Sequence, residues 1–544
     1  MAALKRFSAF LNRDTKAWIR ALVLVLSGVL TGLTIAIPEI GFLEWITIIP
    51  AAIILLKRGF DGDIKLKRIY LDGFVFFYGF YLVCYHFFLS MYPLDFISGM
   101  TDGTAAVAVA VCWFGMALLQ SSMGGFIFVL AALIFRGRIC GRVKALAPIV
   151  IAALWVIFEW SQNFGWWGVP WGRLALGQTK NLIGIQNAAW FGSYFITFII
   201  VSVNFFIAYA LLNLTEKRAV RIASITVLSM IVFQYSTGAI IWFTTDINEG
   251  ATVKVACVQG NISASNEWDS DTIKQIEKVY WEGTREAAAA GAEIIVWTET
   301  AIPFIITSGA YTKYDERCKD LAKETGTYIL VGAYADDEEN SYNSLICYAP
   351  DGTRYDRYDK QRLVPFAEYL PLKRFFEVCI PVLTKICITF DNIALGEETT
   401  VMNIDGADVG SLICFDSIYE GLTLDAVRNG AELICLSTND SWFSGSAALT
   451  IHKSHAQLRS IESGRYITRS ASTGISAIIS PRGETMDIIE ADTEGVLVYD
   501  VHLRQNRTLY SVLGKVFVYL CLAFCGGVVL ERCVSGIKAK KKRS

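Results

Sequence analysis

Seven apolar runs crowd the first 245 residues of this chain, at 21–37, 42–56, 70–92, 104–135, 146–158, 187–214 and 222–243, and an eighth lies at 509–530. A helix that crosses a bilayer needs about 20 mostly apolar residues, because in hydrocarbon each backbone N–H and C=O must find its partner within the helix. These runs therefore call for a polytopic α-helical membrane domain of eight spans. The runs 42–56 and 146–158 are short, and their outer ends carry Glu44 and Glu159, which suits interfacial carboxylates in reach of water. The run 104–135 is overlong, and Ser121, Ser122, Gly124 and Gly125 mark a kink unless the helix tilts.

Basic residues set the orientation. Lys5, Arg6, Arg13, Lys16 and Arg20 precede the first run; Lys57, Arg58, Lys65, Lys67 and Arg68 separate the second and third; Arg136, Arg138, Arg142 and Lys144 separate the fourth and fifth; Lys217, Arg218 and Arg221 separate the sixth and seventh; and 538–543 close the chain. The alternate connections hold only Arg173 and Lys180. With eight spans every basic cluster lies on one side, which places both termini in the cytoplasm and 246–506 outside. The outer connection 159–186 gathers Trp160, Trp166, Trp167 and Trp171, an aromatic belt at the headgroups and a candidate lip where a lipid chain enters. The first run lacks a cleavage site and is expected to be retained.

The chain divides on this basis into a membrane domain at 1–245, an extracytoplasmic domain at 246–506, an eighth helix at 507–531 and a basic tail at 532–544. Between 246 and 506 the hydrophobic period changes. Strand-like runs at 253–258, 294–297, 328–333, 344–348, 408–413, 433–437, 466–470, 475–480 and 495–501 alternate with helical stretches at 271–290, 311–325, 422–429 and 449–463. The alternation argues an α/β layered domain. An α-β-β-α sandwich fits it, and so does a single doubly wound sheet. The whole chain is 53% hydrophobic and 18% charged, too apolar for an ordinary soluble enzyme. A net charge of −2 gives nucleic acid no electrostatic foothold. The thirteen cysteines form no CxxC pair and no His/Cys cluster, so no metal site is expected. Cys379 and Cys387 are close enough in sequence to pair.

Three segments of this domain end in chargeable residues: Glu299 after 294–297, Lys360 in the loop before Leu363 and Val364, and Cys414 after 408–413. A cysteine nucleophile reacts as its thiolate and needs a base or a positive neighbour. His452 and His455, at i and i+3, offer a Cys–His dyad, although two surface histidines are the plainer expectation. A carboxylate serves as base where a dry setting raises its proton affinity, and Trp297, Ala301, Ile302 and Pro303 supply one around position 299. An ammonium at Lys360 would stabilise a thiolate and an oxyanion, with the backbone N–H of Phe415 as second donor. Glu368 would orient Lys360 or shuttle protons. Taken singly, Lys360 reads as a solvated surface lysine and Cys414 as a packed small hydrophobe.

Taken together, Glu299, Lys360 and Cys414 resemble the catalytic triad of the nitrilase superfamily. With 258–262 (VQGNI), Trp268, 297–303 (WTETAIP), 360–371 (KQRLVPFAEYLP), 413–416 (ICFD), 437–443 (STNDSWF) and 459–474 with Arg465 and Arg469, the chain resembles the apolipoprotein N-acyltransferase family over nearly its whole length. That resemblance implies eight spans carrying one outward nitrilase-like α-β-β-α domain in the cytoplasmic membrane. It implies acyl transfer from a phospholipid to a diacylated apolipoprotein through a thioester on Cys414, without cofactor. It also implies supporting roles for Glu368, Phe415 and Asp416, and places Trp268 and Trp442 along the substrate path. Phe415-Asp416 stands where Tyr-Glu is common, with Glu420 as an alternative acid, and Trp297-Thr298 stands where Trp-Pro is common. A membrane-tethered amidase and a non-catalytic lipid-binding protein are the competing readings.

Overall fold

A computed structural model describes residues 2–94, 100–263, 269–365, 367–379 and 393–541. Two compact units emerge, one formed by Met1–Leu89, Ala108–Thr244 and Leu513–Ser544, the other by Ser90–Val107 and Thr245–Val512.

The first unit is helical. Six helical stretches among the described residues are long and apolar enough to cross a membrane: Ala17–Ala36, Pro38–Gly59, Asp102–Phe135, Lys144–Ser161, Ser193–Leu212 and Lys217–Thr244. Two of the eight expected spans fall outside that set. The run 70–92 becomes the helix Leu66–Cys84, whose first two turns hold Lys67, Arg68 and Asp72. The run 509–530 is divided at Gly514 (φ 60°) into Leu509–Leu513 and Val516–Lys541. Asp72 is not left alone in this setting: Arg20 lies 2.9 Å and Arg58 2.7 Å from its carboxylate. Helices Ala17–Ala36 and Leu66–Cys84 approach closely because glycine faces backbone, so that a Cβ on Gly28 would stand 2.0 Å from the Phe76 carbonyl. Asp102–Phe135 is one continuous helix, and Ser121 and Ser122 return their hydroxyls to the carbonyls one turn back.

Glu44 and Glu159 are not in reach of water. They are 0% and 2% exposed. Gln178 donates to Glu44 Oε2 at 2.8 Å, while the Leu174 N–H and the Thr197 hydroxyl donate to the two oxygens of Glu159 at 3.1 and 2.8 Å. A carboxylate shut away from water needs such donors. The aromatic connection is likewise folded inward at Trp171, and buried Arg173 bonds Asn163 at 2.8 Å and lies over the Tyr194 ring.

The second unit holds two sheets. Its strands are β1 (Thr252–Gln259), β2 (Ile294–Val296), β3 (Ile302–Ile305), β4 (Tyr328–Asp336), β5 (Ser341–Tyr348), β6 (Arg354–Asp359), β7 (Val401–Ile404), β8 (Ala407–Ile413), β9 (Leu433–Thr438), β10 (Tyr466–Ala471), β11 (Ser476–Ile479), β12 (Thr485–Ile489) and β13 (Gly495–His502). One sheet runs β13-β1-β2-β4-β5-β6 with β3 beside β4; the other runs β12-β11-β10-β9-β8-β7. Both are mixed, with parallel pairs at β1–β2, β2–β4, β8–β9 and β9–β10.

Val255, Cys257, Val296 and Leu345 from the first sheet and Val409, Ile413, Leu433 and Cys435 from the second share one core between them. Tyr280, Ala287, Leu321 and Ala322 on helices Ser270–Ala289 and Thr312–Thr325 cover the outer face of the first sheet. Leu422, Ala426 and Ala456 on helices Glu420–Arg428 and Ala448–Ser463 cover the outer face of the second. The order is therefore helix, sheet, sheet, helix, which decides against a single doubly wound sheet. Inner strands buried on both faces are apolar throughout, and they carry the site at their C-terminal ends.

Candidate active site

Three strands deliver the three residues. β2 ends at Val296, and the chain turns through Trp297 and Thr298 to Glu299; β6 ends at Asp359, so Lys360 is the next residue; β8 ends at Ile413, so Cys414 is the next. The turn at Glu299 is pinned from several sides. Trp297 donates its backbone N–H to the Leu330 carbonyl at 2.8 Å and its indole N–H to the Thr284 hydroxyl at 2.9 Å. The Thr298 hydroxyl meets Tyr280, so the residue that replaces the common proline is held by a hydrogen bond instead. Gly332 on β4 makes room: a Cβ there would lie 2.0 Å from the Thr298 carbonyl oxygen.

Lys360 is 1% exposed, not solvated. Its Nζ donates to Glu299 Oε1 at 2.8 Å and to Glu368 Oε1 at 2.9 Å, so one cation bridges two carboxylates. Burial alone would lower its proton affinity, but Glu299, Glu368 and the Cys414 thiol hold the ammonium well above the ordinary lysine range. Glu299, 5% exposed, also accepts from Asn343 Nδ2 at 2.8 Å and from the Asn439 backbone N–H at 2.8 Å. Glu368 is fixed by the Val364 N–H at 2.8 Å and by Asn343 at 3.2 Å.

Cys414 adopts a left-handed backbone (φ 49°) at the entry to the 3-10 turn Cys414–Ile418. That conformation is rare for a residue with a side chain and marks a sharp change of direction. Burial, with Glu299 adding to it, pushes the thiol well above the ordinary cysteine value, against the opposing pull of Lys360 and the Thr438 hydroxyl. The resting group is therefore a thiol, and it needs a base to become a nucleophile.

Asp416 is held by donors other than Lys360. Its oxygens accept from the Arg362 N–H at 2.8 Å, the Ile413 N–H at 3.1 Å and the Tyr358 hydroxyl at 2.9 Å. The shorter acid thus reaches three donors and ties the Lys360 loop to the end of β8. Burial raises its carboxyl to about 7, against Lys360 and those same donors. Glu420 is buried at the start of helix Glu420–Arg428. The Phe415 ring packs edge-on against Tyr419 at 5.5 Å. Trp442 is half-buried on the turn Ser441–Phe443, two residues beyond Asp440. Trp268 and Cys387 lie outside the described residues.

The histidines correct an expectation. His452 and His455 are 1% and 0% exposed, not surface residues. His452 stands behind Cys414, with Nδ1 2.8 Å from Asp440 Oδ1 and Nε2 3.2 Å from the Cys414 carbonyl oxygen. Arg469 donates to Asp440 Oδ2 at 2.5 Å. Ligand atoms of Cys414, Asp440 and His452 lie within 4.8 Å of one another, one group among the described residues that a metal ion could address. An ion there would compete with the Arg469 guanidinium and with the His452–Asp440 hydrogen bond. Asn343 and Asp440 received no role from sequence, and His452 was considered there only as half of a Cys–His dyad. Asp440 and Arg469 sit in motifs already singled out, whereas Asn343 offers no local signal.

Known proteins match both halves of the chain. The family described as Carbon-nitrogen hydrolase matches residues 254–509, and that described as Apolipoprotein N-acyltransferase N-terminal domain matches residues 27–206. The Apolipoprotein N-acyltransferase of Geobacter metallireducens is 30% identical over 509 residues, covering 92% of this chain and 93% of that protein. The one from Gloeobacter violaceus is 26% identical over 520 residues, covering 94% of each. With a thiol, a carboxylate and an ammonium gathered at the ends of three strands and this likeness running from the helical unit through the α/β unit, the chain belongs to the apolipoprotein N-acyltransferase family.

Proposed function

We propose that the chain is a membrane acyltransferase that moves an acyl chain from a phospholipid to the free α-amino group of the S-diacylglyceryl cysteine at the N-terminus of apolipoproteins. The observation that carries this reading is Lys360, buried and bridging Glu299 and Glu368 beside the Cys414 thiol. In the first half-reaction Glu299 takes the thiol proton and the thiolate attacks the ester carbonyl. Lys360 and the Phe415 N–H stabilise the oxyanion. Its collapse breaks the C–O bond, lysophospholipid leaves with the proton from Glu299, and a thioester remains on Cys414. In the second, the lipoprotein amine attacks the thioester, Glu299 accepts its proton, and collapse forms the amide and returns the thiol.

Two lipid-anchored substrates meeting at one tethered thiol gain effective concentration, and the thioester divides ester-to-amide exchange into two easier steps. Glu368 orients Lys360, Asp416 holds the loop between them, and Trp442 lines the approach of substrate. The membrane arrangement is eight crossings, with Leu66–Cys84 and Val516–Lys541 added to the six stretches that are long and apolar enough by themselves. Basic clusters and both termini face the cytoplasm, and the α/β domain lies on the outer face of the inner membrane.

The test is chemical. In detergent with phosphatidylethanolamine alone, the protein accumulates a hydroxylamine-sensitive acyl adduct on Cys414, read by mass spectrometry of the peptide. Cys414→Ser folds, shows no adduct and transfers nothing to a diacylated lipopeptide. Transfer retained by Cys414→Ser, or release of ammonia from small amides with no adduct from lipid, would sink the proposal.

A further inference from the structure

The nucleophile's backbone is strained, and the structure shows what holds it. Left-handed geometry at a non-glycine residue is costly and persists only where its surroundings over-determine it. The Ser417 hydroxyl donates to the Cys414 carbonyl at 2.7 Å. His452 Nε2 backs both, 2.9 Å from Ser417 Oγ and 3.2 Å from the same carbonyl. With the Ser417 proton committed to that carbonyl, Nε2 faces two acceptors. The other ring nitrogen faces Asp440 at 2.8 Å. Asp440 is in turn caged by Arg469 at 2.5 Å and the Thr438 hydroxyl at 2.9 Å, and Gly474 closes against it so tightly that a Cβ would stand 2.3 Å from Oδ2.

The same short stretch also grips the base. Asn439, the neighbour of Asp440, gives its backbone N–H to Glu299, and Ser437 bonds the Trp297 carbonyl at 2.9 Å. One side of residues 437–440 therefore fixes Glu299; the other fixes the ring that backs Cys414.

We propose that His452, oriented by Asp440, is a positioning residue that locks the left-handed turn at Cys414 and so sets the direction of the thiol relative to Glu299. This rests on Cys414 being the nucleophile, and the experiment separates the two claims. Full-length protein in detergent with phosphatidylethanolamine is compared with His452→Gln, His452→Asn and His452→Ala. Glutamine reaches the Nε2 position and keeps a donor on the Cys414 carbonyl. Asparagine reaches only the Nδ1 position and keeps only the Asp440 contact.

The acylation rate of Cys414 is expected to fall about 100-fold in the Asn and Ala variants and to stay within a few-fold of wild type in the Gln variant. KM for the phospholipid should be unchanged in all three, and the Asn and Gln variants should melt together. Equal rates for Asn and Gln, a loss carried by KM, or rates that track melting temperature would overturn the positioning role. A wild-type protein that forms no adduct on Cys414 would remove the nucleophile itself and this role with it, whereas a wild-type adduct that forms as fast in His452→Ala removes only the positioning role.

Discussion

Lys360→Met keeps the length of the side chain and deletes its charge. The ammonium lies 2.8 Å from Glu299 and 2.9 Å from Glu368, with the lysine 1% and the glutamates 5% and 15% exposed. Without it, two carboxylates face each other across the Asn343 amide, which is 2.8 and 3.2 Å from them. Removing one partner of a buried pair costs about 3–5 kcal/mol, because the charge left behind has neither water nor counter-ion. For a domain of this size that lowers the unfolding temperature by about 10 °C. Adding Glu368→Gln to Lys360→Met withdraws one surplus carboxylate and offers an amide in its place. The double variant should therefore melt above Lys360→Met, with a coupling of at least about 1 kcal/mol. Chemistry should not follow stability. Loss of a preorganised donor costs about 100- to 1,000-fold, and thioester formation should stay that low in both proteins. Scanning fluorimetry in detergent gives the first quantity, and the time course of the hydroxylamine-sensitive adduct gives the second. A double variant less stable than Lys360→Met by the full cost of Glu368→Gln alone, or activity that returns with stability, would refute the charge-balance argument.

Gly332→Ala sets a methyl 2.0 Å from the Thr298 carbonyl oxygen and 2.9 Å from the Glu299 Cα, backbone atoms that cannot rotate away; adduct formation should drop about 100-fold while the protein remains folded by circular dichroism. Asp416 has a native carboxyl at about 7 against an ordinary 3.8, so the folded state holds a proton that the unfolded state releases. Stability from this group is complete below pH 3.8 and is lost as pH rises through 7, by up to about 1.4 kcal/mol per unit. Wild type should accordingly lose melting temperature relative to Asp416→Asn between pH 5 and 7, and parallel curves would remove the titration. For topology, Glu338→Cys in the exposed β4–β5 turn should react with an impermeant maleimide on spheroplasts, and Asp61→Cys in a basic connection should react only after lysis; the reverse pattern would invert the proposed orientation.

Strands covered on both faces were legible, and of the sheet edges only β13 was. β1, β2, β4, β8 and β9 are largely apolar because helices cover one face and a second sheet the other. β6 (RYDRYD), β7 (VMNI) and β12 (TMDII) lie at sheet edges, and β3 opens Ile302-Pro303 beside β4. An edge strand needs polar side chains to discourage further pairing, so its period is hidden among loop-like residues. The cost was specific: β6, read as part of a loop, is the strand that delivers Lys360 into the site. The membrane count suffers the opposite problem. Leu66–Cys84 carries Lys67, Arg68 and Asp72, and its apolar character is diluted although Arg20 and Arg58 neutralise the acid.

The histidines show where pattern reading stops. Positions i and i+3 on the helix Ala448–Ser463 suggest one face, and a helix with this many polar residues suggests that the face meets water. Instead nearly every residue of that helix is buried, so each polar group must find a partner within the protein. For His452 the partners stand 12, 17 and 38 residues away, at Asp440, Arg469 and Cys414. No window along the chain contains them all. They become neighbours only because β8, β9 and β10 lie side by side, so that the residue after β8, the second residue beyond β9 and Arg469 within β10 meet the same ring. A parallel sheet gathers residues by strand order, not by sequence distance, which is why the proposed triad could be named from motifs at three strand ends while the scaffold behind its thiol could not.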